Sequence, residues 1–406
     1  MRRAVPALVV VALLAGCGGG GGANSTRVTS DTLTIYTGLP LRGPHGSEGR
    51  AVLRGEKLAL HEAGGHVNNL ELGLVALDDT DGSTLEWAPG QVAANAREAA
   101  QNPTTIAYIG DLDSGASAVS VPITNETGIL QVSPLSEYTG LTQPADKGEP
   151  DKYYPSGKRT FARLVPTSAE EAGALASWIK AMGLDAVSLA YDGLQEGLGQ
   201  GIELERALKN AGIQVTDIVR VDPHDGIDDV RGDAGDLAHG GTAGIVFAGA
   251  TVPAALALMR AIHASDPGDK LFATGGVATA QFAAGLKDAE RQVYVTSPLL
   301  PVANRPPVAK ALAVRYKDLF GGAMPPAALY GYEAMRSVLD AIRRAGRDDN
   351  DRKAVIASYM STDAPSSPIG AFSIGRGGDT SSTTFGGFRV ENGRLRFERR
   401  LNSGVG

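Results

Sequence analysis

The chain has 406 residues, with 38 Lys+Arg against 45 Asp+Glu for a net charge of -7, and a single cysteine. That length holds two or three domains, and 43% hydrophobic with 20% charged residues excludes a wholly disordered chain. The acidic balance argues against a nucleic-acid binder, and one cysteine excludes both an intrachain disulfide and a cluster of cysteine metal ligands.

Met1-Arg2-Arg3 is a short basic start, followed by an apolar run over residues 4–14. The run is about half of the ~20 residues that span a bilayer, so it reads as an export signal rather than a membrane helix. Leu14-Ala15-Gly16-Cys17 then looks like a bacterial lipobox. In that reading residues 1–16 are a signal peptide, Cys17 is the lipidated first residue, and the glycine-rich stretch over 17–30 is a flexible tether. The alternative is an ordinary secretory signal with a chance cysteine. No later segment is long and apolar enough to cross a membrane.

From Asp31 onward, short apolar runs alternate with helical patterns. Strands are predicted at 33–36, 70–77, 105–109 and 129–132, with helices at 49–63, 89–101 and 117–127. The Pro/Gly-containing, charged segment 144–158 reads as a surface loop. A second series begins with a strand at 161–165. Ser168-Ala169-Glu170-Glu171 then carries a capping-box signature ahead of a helix whose Ala172, Leu175, Ala176 and Ile179 form a buried stripe. Strands at 186–191, 213–219, 243–248 and 271–273 alternate with helices at 201–211, 228–239 and 253–264. After a strand at 293–295 come helices near 307–320, 327–344 and 351–360. Short strands at 371–374, 385–390 and 395–401 close the chain, the last two joined by a hairpin turn at Glu391-Asn392-Gly393. Such alternation calls for parallel sheets with helices on both faces, and two series call for two α/β lobes.

Several motifs invite chemistry and fall short of it. His61 and His66 stand at i and i+5 across Gly64-Gly65, not at the i and i+4 that a zinc-protease helix needs. Gly197-Leu198-Gly199-Gln200-Gly201 sits where a dinucleotide loop would, yet Ile202 replaces its third glycine. Asp78-Asp79-Thr80-Asp81-Gly82 resembles the front of a calcium loop, but Ala88 falls where the bidentate Glu is required. There is no Gly-x-Ser-x-Gly elbow, and nothing suggests catalysis or a resident metal or cofactor. The turn from Gly110 to Ser117 is the strongest candidate. A hydroxyl and free backbone N–H groups at a helix start suit a ligand carboxylate. The alternative is that Ser114 or Ser117 simply caps the helix.

The order of pieces resembles the Leu/Ile/Val-binding protein family, the solute receptors of branched-chain amino-acid ABC transporters. The resemblance runs through Gly38-Leu39-Pro40-Leu41-Arg42-Gly43-Pro44, Gly55-Glu56-Lys57-Leu58-Ala59, Leu77-Asp78-Asp79, Ile109-Gly110, Ser133-Pro134, Arg163-Leu164-Val165-Pro166, Asn210-Ala211-Gly212 and Tyr330-Gly331-Tyr332-Glu333-Ala334. It implies the type I periplasmic binding protein fold: α/β, with two doubly wound parallel-sheet lobes and a hinge of three crossovers. Lobe one is then expected over 31–165 and 298–360, and lobe two over 166–297 and 361–406. The implied function is an extracytoplasmic, lipid-anchored receptor, not an enzyme. It would act as a monomer that delivers an amino-acid-like solute to an ABC permease. A sensory module of the same fold is the alternative, and an enzyme on this scaffold a third class.

The resemblance also implies a ligand site in the cleft. Ser114 matches the serine that holds the ligand carboxylate. Leu135, Ser136 and Glu137 match the strand-end segment that contacts ligand through backbone and a hydroxyl. Glu48 and Glu196 replace aromatic residues, and Ala250 or Thr251 replaces another. The acid that pairs with the ligand ammonium is expected near Gly275-Gly276, where this chain has none. With Glu48, Glu137 and Glu196 as cleft acids, the ligand is expected to carry a displaced amine or an added cationic group, with a rearranged amino-acid site as the milder version.

Overall fold

The computed structural model describes residues 26–82, 87–193, 195–221, 230, 232–235, 237 and 243–403, without the side chains of Gln195 and Glu196. The expected signal sequence, Cys17, the glycine run and half of the helix expected at 228–239 therefore lie outside the described residues.

The first sheet is built from β1 (Thr32–Leu39), β2 (His66–Val67), β3 (Leu70–Asp78), β4 (Thr105–Ile109), β5 (Leu130–Ser133) and β6 (Phe161–Arg163), in the order β2-β3-β1-β4-β5-β6. All its pairings are parallel except the short β2–β3 turn-back. Helices α1 (Gly46–Glu62), α2 (Pro89–Gln101) and α3 (Ser114–Glu126) connect the strands. β1 lies inside the sheet with seven of its eight residues buried, as expected for a strand covered on both faces.

The second series comprises α4 (Ser168–Ala181), β7 (Ala186–Asp192), α5 (Gln195–Asn210), β8 (Gln214–Val221), β9 (Gly244–Ala248), α6 (Val252–Ser265), β10 (Lys270–Ala273), α7 (Ala280–Gly285) and β11 (Val293–Ser297). The chain then returns to the first lobe as α8 (Pro307–Phe320), α9 (Pro326–Ala345) and α10 (Arg352–Tyr359), followed by the small ladder β12 (Asp363–Ala364) and β13 (Phe372–Ser373). The hairpin β14 (Thr384–Glu391) and β15 (Arg394–Asn402) completes the second sheet, ordered β15-β14-β11-β10-β9-β7-β8. Its strands run parallel from β7 to β11, and the hairpin adds antiparallel onto β11. Asn392 and Gly393 at the hairpin tip have φ of 52° and 67°, the left-handed pair that a two-residue turn requires.

The chain thus passes between the lobes three times, after β6, after β11 and after β13. Residues 361–374, grouped with lobe two on sequence, place Ala364, Ile369, Phe372 and Ile374 in the hydrophobic core of the first sheet. The reason is local: this segment follows α10 and pairs with itself before the chain crosses to β14.

Two glycines let α1 and α9 cross at backbone contact. A Cβ on Gly55 would sit 2.0 Å from the Ala328 carbonyl oxygen, and one on Gly331 would sit 2.1 Å from that of Val52. This explains the glycine between Tyr330 and Tyr332. Beneath the crossing, Glu56 is fully buried and accepts a hydrogen bond from Thr37 Oγ1 at 3.0 Å. Burial pushes its carboxyl up to about 8.

Two helix starts differ from expectation. The capping box belongs to Thr167 and Glu170, one residue earlier than read from the sequence, which leaves Glu171 to turn inward. Helix α3 begins at Ser114 with Asp113 in the cap position, so neither Ser114 nor Ser117 is the cap.

Candidate functional site

The C-terminal ends of β4, β5, β9, β10 and β11 converge between the two sheets, the place where open α/β sheets leave a crevice. A cavity of about 60 Å³ lies there. The first lobe contributes His45 and Glu48 from the start of α1, Leu112, Asp113 and Ser114 from the turn into α3, and Leu135 and Glu137 after β5. The second lobe contributes Gln200, Ala250, the segment around Gly275 and Gly276, Thr279, and Ser297 with Pro298 after β11.

Of the residues singled out on sequence, Ser114, Leu135, Glu137 and Glu48 share this lining. Ser114 Oγ accepts the backbone N–H of Glu137 at 3.0 Å and of Tyr138 at 3.1 Å. Its proton is left to donate, but the two amides it holds are no longer free for a ligand. Ser136 is turned away from the lining. It is fully buried, with its Oγ 2.7 Å from Ser117 Oγ and donating to the Asp111 carbonyl at 3.1 Å. Thr251 also stands off the cavity, because its hydroxyl donates to Asp192 Oδ2 at 2.9 Å. The amides of Ala250 and Thr251 donate to that same oxygen at 2.8 and 3.0 Å. The N-terminus of α6 is therefore occupied by a carboxylate from β7 rather than open to an anion. The backbone of Glu196 lies in α5, and its side chain is outside the described residues.

Gly197, Gly199 and Gly201 belong to α5 itself and form no phosphate loop. A Cβ on Gly199 would meet Tyr138 at 2.4 Å, so the missing side chain serves the approach of two elements. Asp78 is spent on the turn after β3, accepting from the Leu41 amide at 3.0 Å, from Thr80 and from Arg42 at 2.7 Å. No group of three or more His, Cys, Asp or Glu among the described residues is arranged to hold a metal.

Sequence reasoning missed Thr279 and Ser297 of the second-lobe wall and four further polar residues. His45 and Asp113 flank Glu48 on the first lobe, and Gln200 faces them from α5. Asp113 is 8% exposed, and its Oδ2 has no hydrogen-bond partner. Burial pushes the Asp113 carboxyl up, with His45 opposing the shift. Burial raises Glu48 likewise, against the Ser47 hydroxyl and His45. The fourth is Glu171, which stands against Gly275, where the family resemblance implies an acid. Its Oε1 accepts the Gly275 amide at 2.7 Å and the Thr296 hydroxyl at 2.5 Å. Burial raises its carboxyl, with the Thr296 hydroxyl, the Gly275 amide and the neighbouring Glu137 opposing the shift. The signal existed, since Glu171 precedes Leu175 and Ile179 at four-residue spacing on the buried stripe of α4.

The family model described as "Periplasmic binding protein" matches residues 37–394. The chain belongs to the periplasmic binding protein family. The family is one of solute-binding proteins and places the protein outside the cytoplasm. Solved structures agree with the type I fold. The leucine binding protein LivK of Thermotoga maritima is 23% identical, covering 91% of this chain and 99% of that one, with a TM-score of 0.78. A solute binding protein of an ABC transporter from R. palustris, in complex with benzoate, is 17% identical over 91% and 96%, with a TM-score of 0.74. LivJ of Streptococcus pneumoniae, in complex with isoleucine, is 16% identical over 91% and 99%, with a TM-score of 0.75. No curated protein sequence matches the chain. No helix among the described residues of this periplasmic binding protein is long and apolar enough to cross a membrane.

Proposed function

We propose that this periplasmic binding protein is the lipid-anchored receptor of an ABC importer and takes a small, amino-acid-like solute bearing a cationic group. One observation carries the ligand class. Three carboxyls, of Glu48, Asp113 and Glu137, line the cavity with the imidazole of His45, and no Lys or Arg is among its described lining residues. Carboxyls desolvated together are best satisfied by a bound cation. The relatives named above bind leucine, isoleucine or benzoate, each a carboxylate. The acids of this cleft oppose a ligand carboxylate placed beside them.

In this reading Ser114 and Leu135 shape the first-lobe wall, and Glu196, whose backbone lies in α5, is a further acid of the site. Ser136 and Thr251 hold the walls from behind. Cys17 carries the lipid, the glycine-rich stretch spaces a monomeric receptor from the membrane, and no cofactor is needed. Closure of the lobes buries the solute, and the permease reads the closed form through its higher ligand affinity.

Calorimetry and a thermal-shift screen over amino acids, amines and aromatic acids test the reading. A cationic solute is expected to bind, with affinity reduced by Glu48→Gln and Glu196→Gln. Tight binding of leucine, isoleucine or valine, or of a neutral solute indifferent to both substitutions, overturns the cationic class.

A further inference from the structure

A second chamber, of about 390 Å³, lies beside the cleft cavity. The two spaces share Glu48, Ala278, Ser297 and Leu299 in their walls, so Glu48 stands at their junction. Away from that junction the chamber is largely apolar, walled by Ala51, Pro301, Pro326, Phe388 and Leu395. Phe388 is 5% exposed and packs edge-on against Phe397 with ring centres 5.7 Å apart, which fixes that wall in place.

We infer that the solute is an amphiphilic amine without an α-carboxylate: its ammonium sits between Asp113 and Glu48, and an apolar arm passes Leu299 into the second chamber. The inference rests on the receptor reading above, keeps its cationic group and replaces its amino-acid-like ligand with an amine that lacks the carboxylate. Three independent features lead to it. First, the polar cavity alone has room for a handful of waters, enough for an ammonium and its nearest carbons, whereas the chamber is more than six times larger. Second, Asp113 presents a nine-tenths-buried carboxyl whose Oδ2 lacks a partner, and an ammonium supplies one. Third, several donors beside the cleft are used within the protein. Ser114 takes the amides of Glu137 and Tyr138, and Asp192 takes those of Ala250 and Thr251 just ahead of α6. A ligand carboxylate would meet acids where it needs donors.

Titration calorimetry with five probes tests this: 2-phenylethylamine, hexylamine, ethylamine, phenylalanine and 3-phenylpropionate. The two armed amines are expected to bind at least about tenfold tighter than ethylamine, since each buried methylene is worth roughly a factor of four. They are also expected to exceed phenylalanine and 3-phenylpropionate. Asp113→Asn should weaken amine binding about tenfold or more, and Glu48→Gln provides a second test at a less buried acid. Leu395→Trp, which fills the chamber from β15, should bring the armed amines down toward ethylamine and leave ethylamine unchanged. Thermal melts confirm that each variant is folded. Equal affinity for ethylamine and the armed amines overturns the role of the chamber. Phenylalanine binding as tightly as phenylethylamine overturns the missing carboxylate. Absence of amine binding overturns the inference outright, whereas the receptor reading falls only if the broad solute screen also finds nothing.

Discussion

Ser114 Oγ and the backbone N–H of Glu137 are joined by a 3.0 Å hydrogen bond that ties the start of α3 to the segment after β5. The same oxygen holds the Tyr138 amide, so one hydroxyl satisfies two buried donors of the cleft wall. Ser114→Ala is expected to orphan both amides and destabilise the protein by about 1–3 kcal/mol. Urea denaturation of the ligand-free protein measures it. A loss confined to ligand affinity, with unchanged stability, contradicts a wall-building role.

The pH dependence of ligand binding follows from Glu48 and Asp113. Burial raises both carboxyls above their ordinary 4.5 and 3.8, so each stays neutral further up the pH scale than an exposed acid would. An ammonium ligand pairs with the ionised forms. Its affinity is expected to rise as pH climbs through the raised values, with protons released on binding. Calorimetry in two buffers of different ionisation heat reads the released protons directly. Proton uptake, or affinity that falls with rising pH across this range, contradicts the assignment.

Glu56 governs a stability effect away from the cleft. Its carboxyl moves from 4.5 to about 8 on burial beside Thr37, so the fold favours the neutral acid. The stability tied to this proton is fully present below 4.5 and is lost as pH rises through 8, by about 1.4 kcal/mol per pH unit in between. Glu56→Gln keeps a neutral side chain of similar shape. Its melting temperature is expected to gain on the wild type steadily from pH 5 to about pH 8. Parallel curves for the two proteins would mean that Glu56 titrates normally.

The crossing of α1 and α9 gives a packing prediction. A methyl group on Gly55 would approach the Ala328 carbonyl oxygen to 2.0 Å, and the backbone of α9 has no side-chain freedom with which to yield. Gly55→Ala is expected to cost about 1–3 kcal/mol or more through displacement of the helix pair. Gly90→Ala, with nothing within 4 Å of the added carbon, is the control that should cost far less.

The alternation of strands and helices was legible because each strand is a short apolar run and each helix carries a stripe at helical spacing. The hairpin turn was legible because Asn-Gly meets the positive φ at residues 392 and 393. The site was harder to read for a physical reason. Which face a side chain takes at a strand end depends on one residue of register. Ser136 and Glu137 are neighbours, yet one is spent behind the wall and the other lines the cavity. A one-residue error in the capping box likewise hid Glu171, since an acid at the third helical position reads as a cap until Thr167 and Glu170 take that task. Asp113 is hidden in the sequence because the turn around it presents itself as a set of backbone donors. Its carboxyl reverses the sign of the charge that the turn prefers.

The position of the β14–β15 hairpin also bears on the order in which the molecule is made. Phe388 and Leu395 form part of the second chamber, and β14 caps the open edge of β11. Residues 384–402 must therefore have been made and moved out of the cytoplasm before the second sheet can be finished. Until then β11 is a bare edge, and the solute-binding space is left open on one side. The binding chamber is among the last parts of this protein to exist.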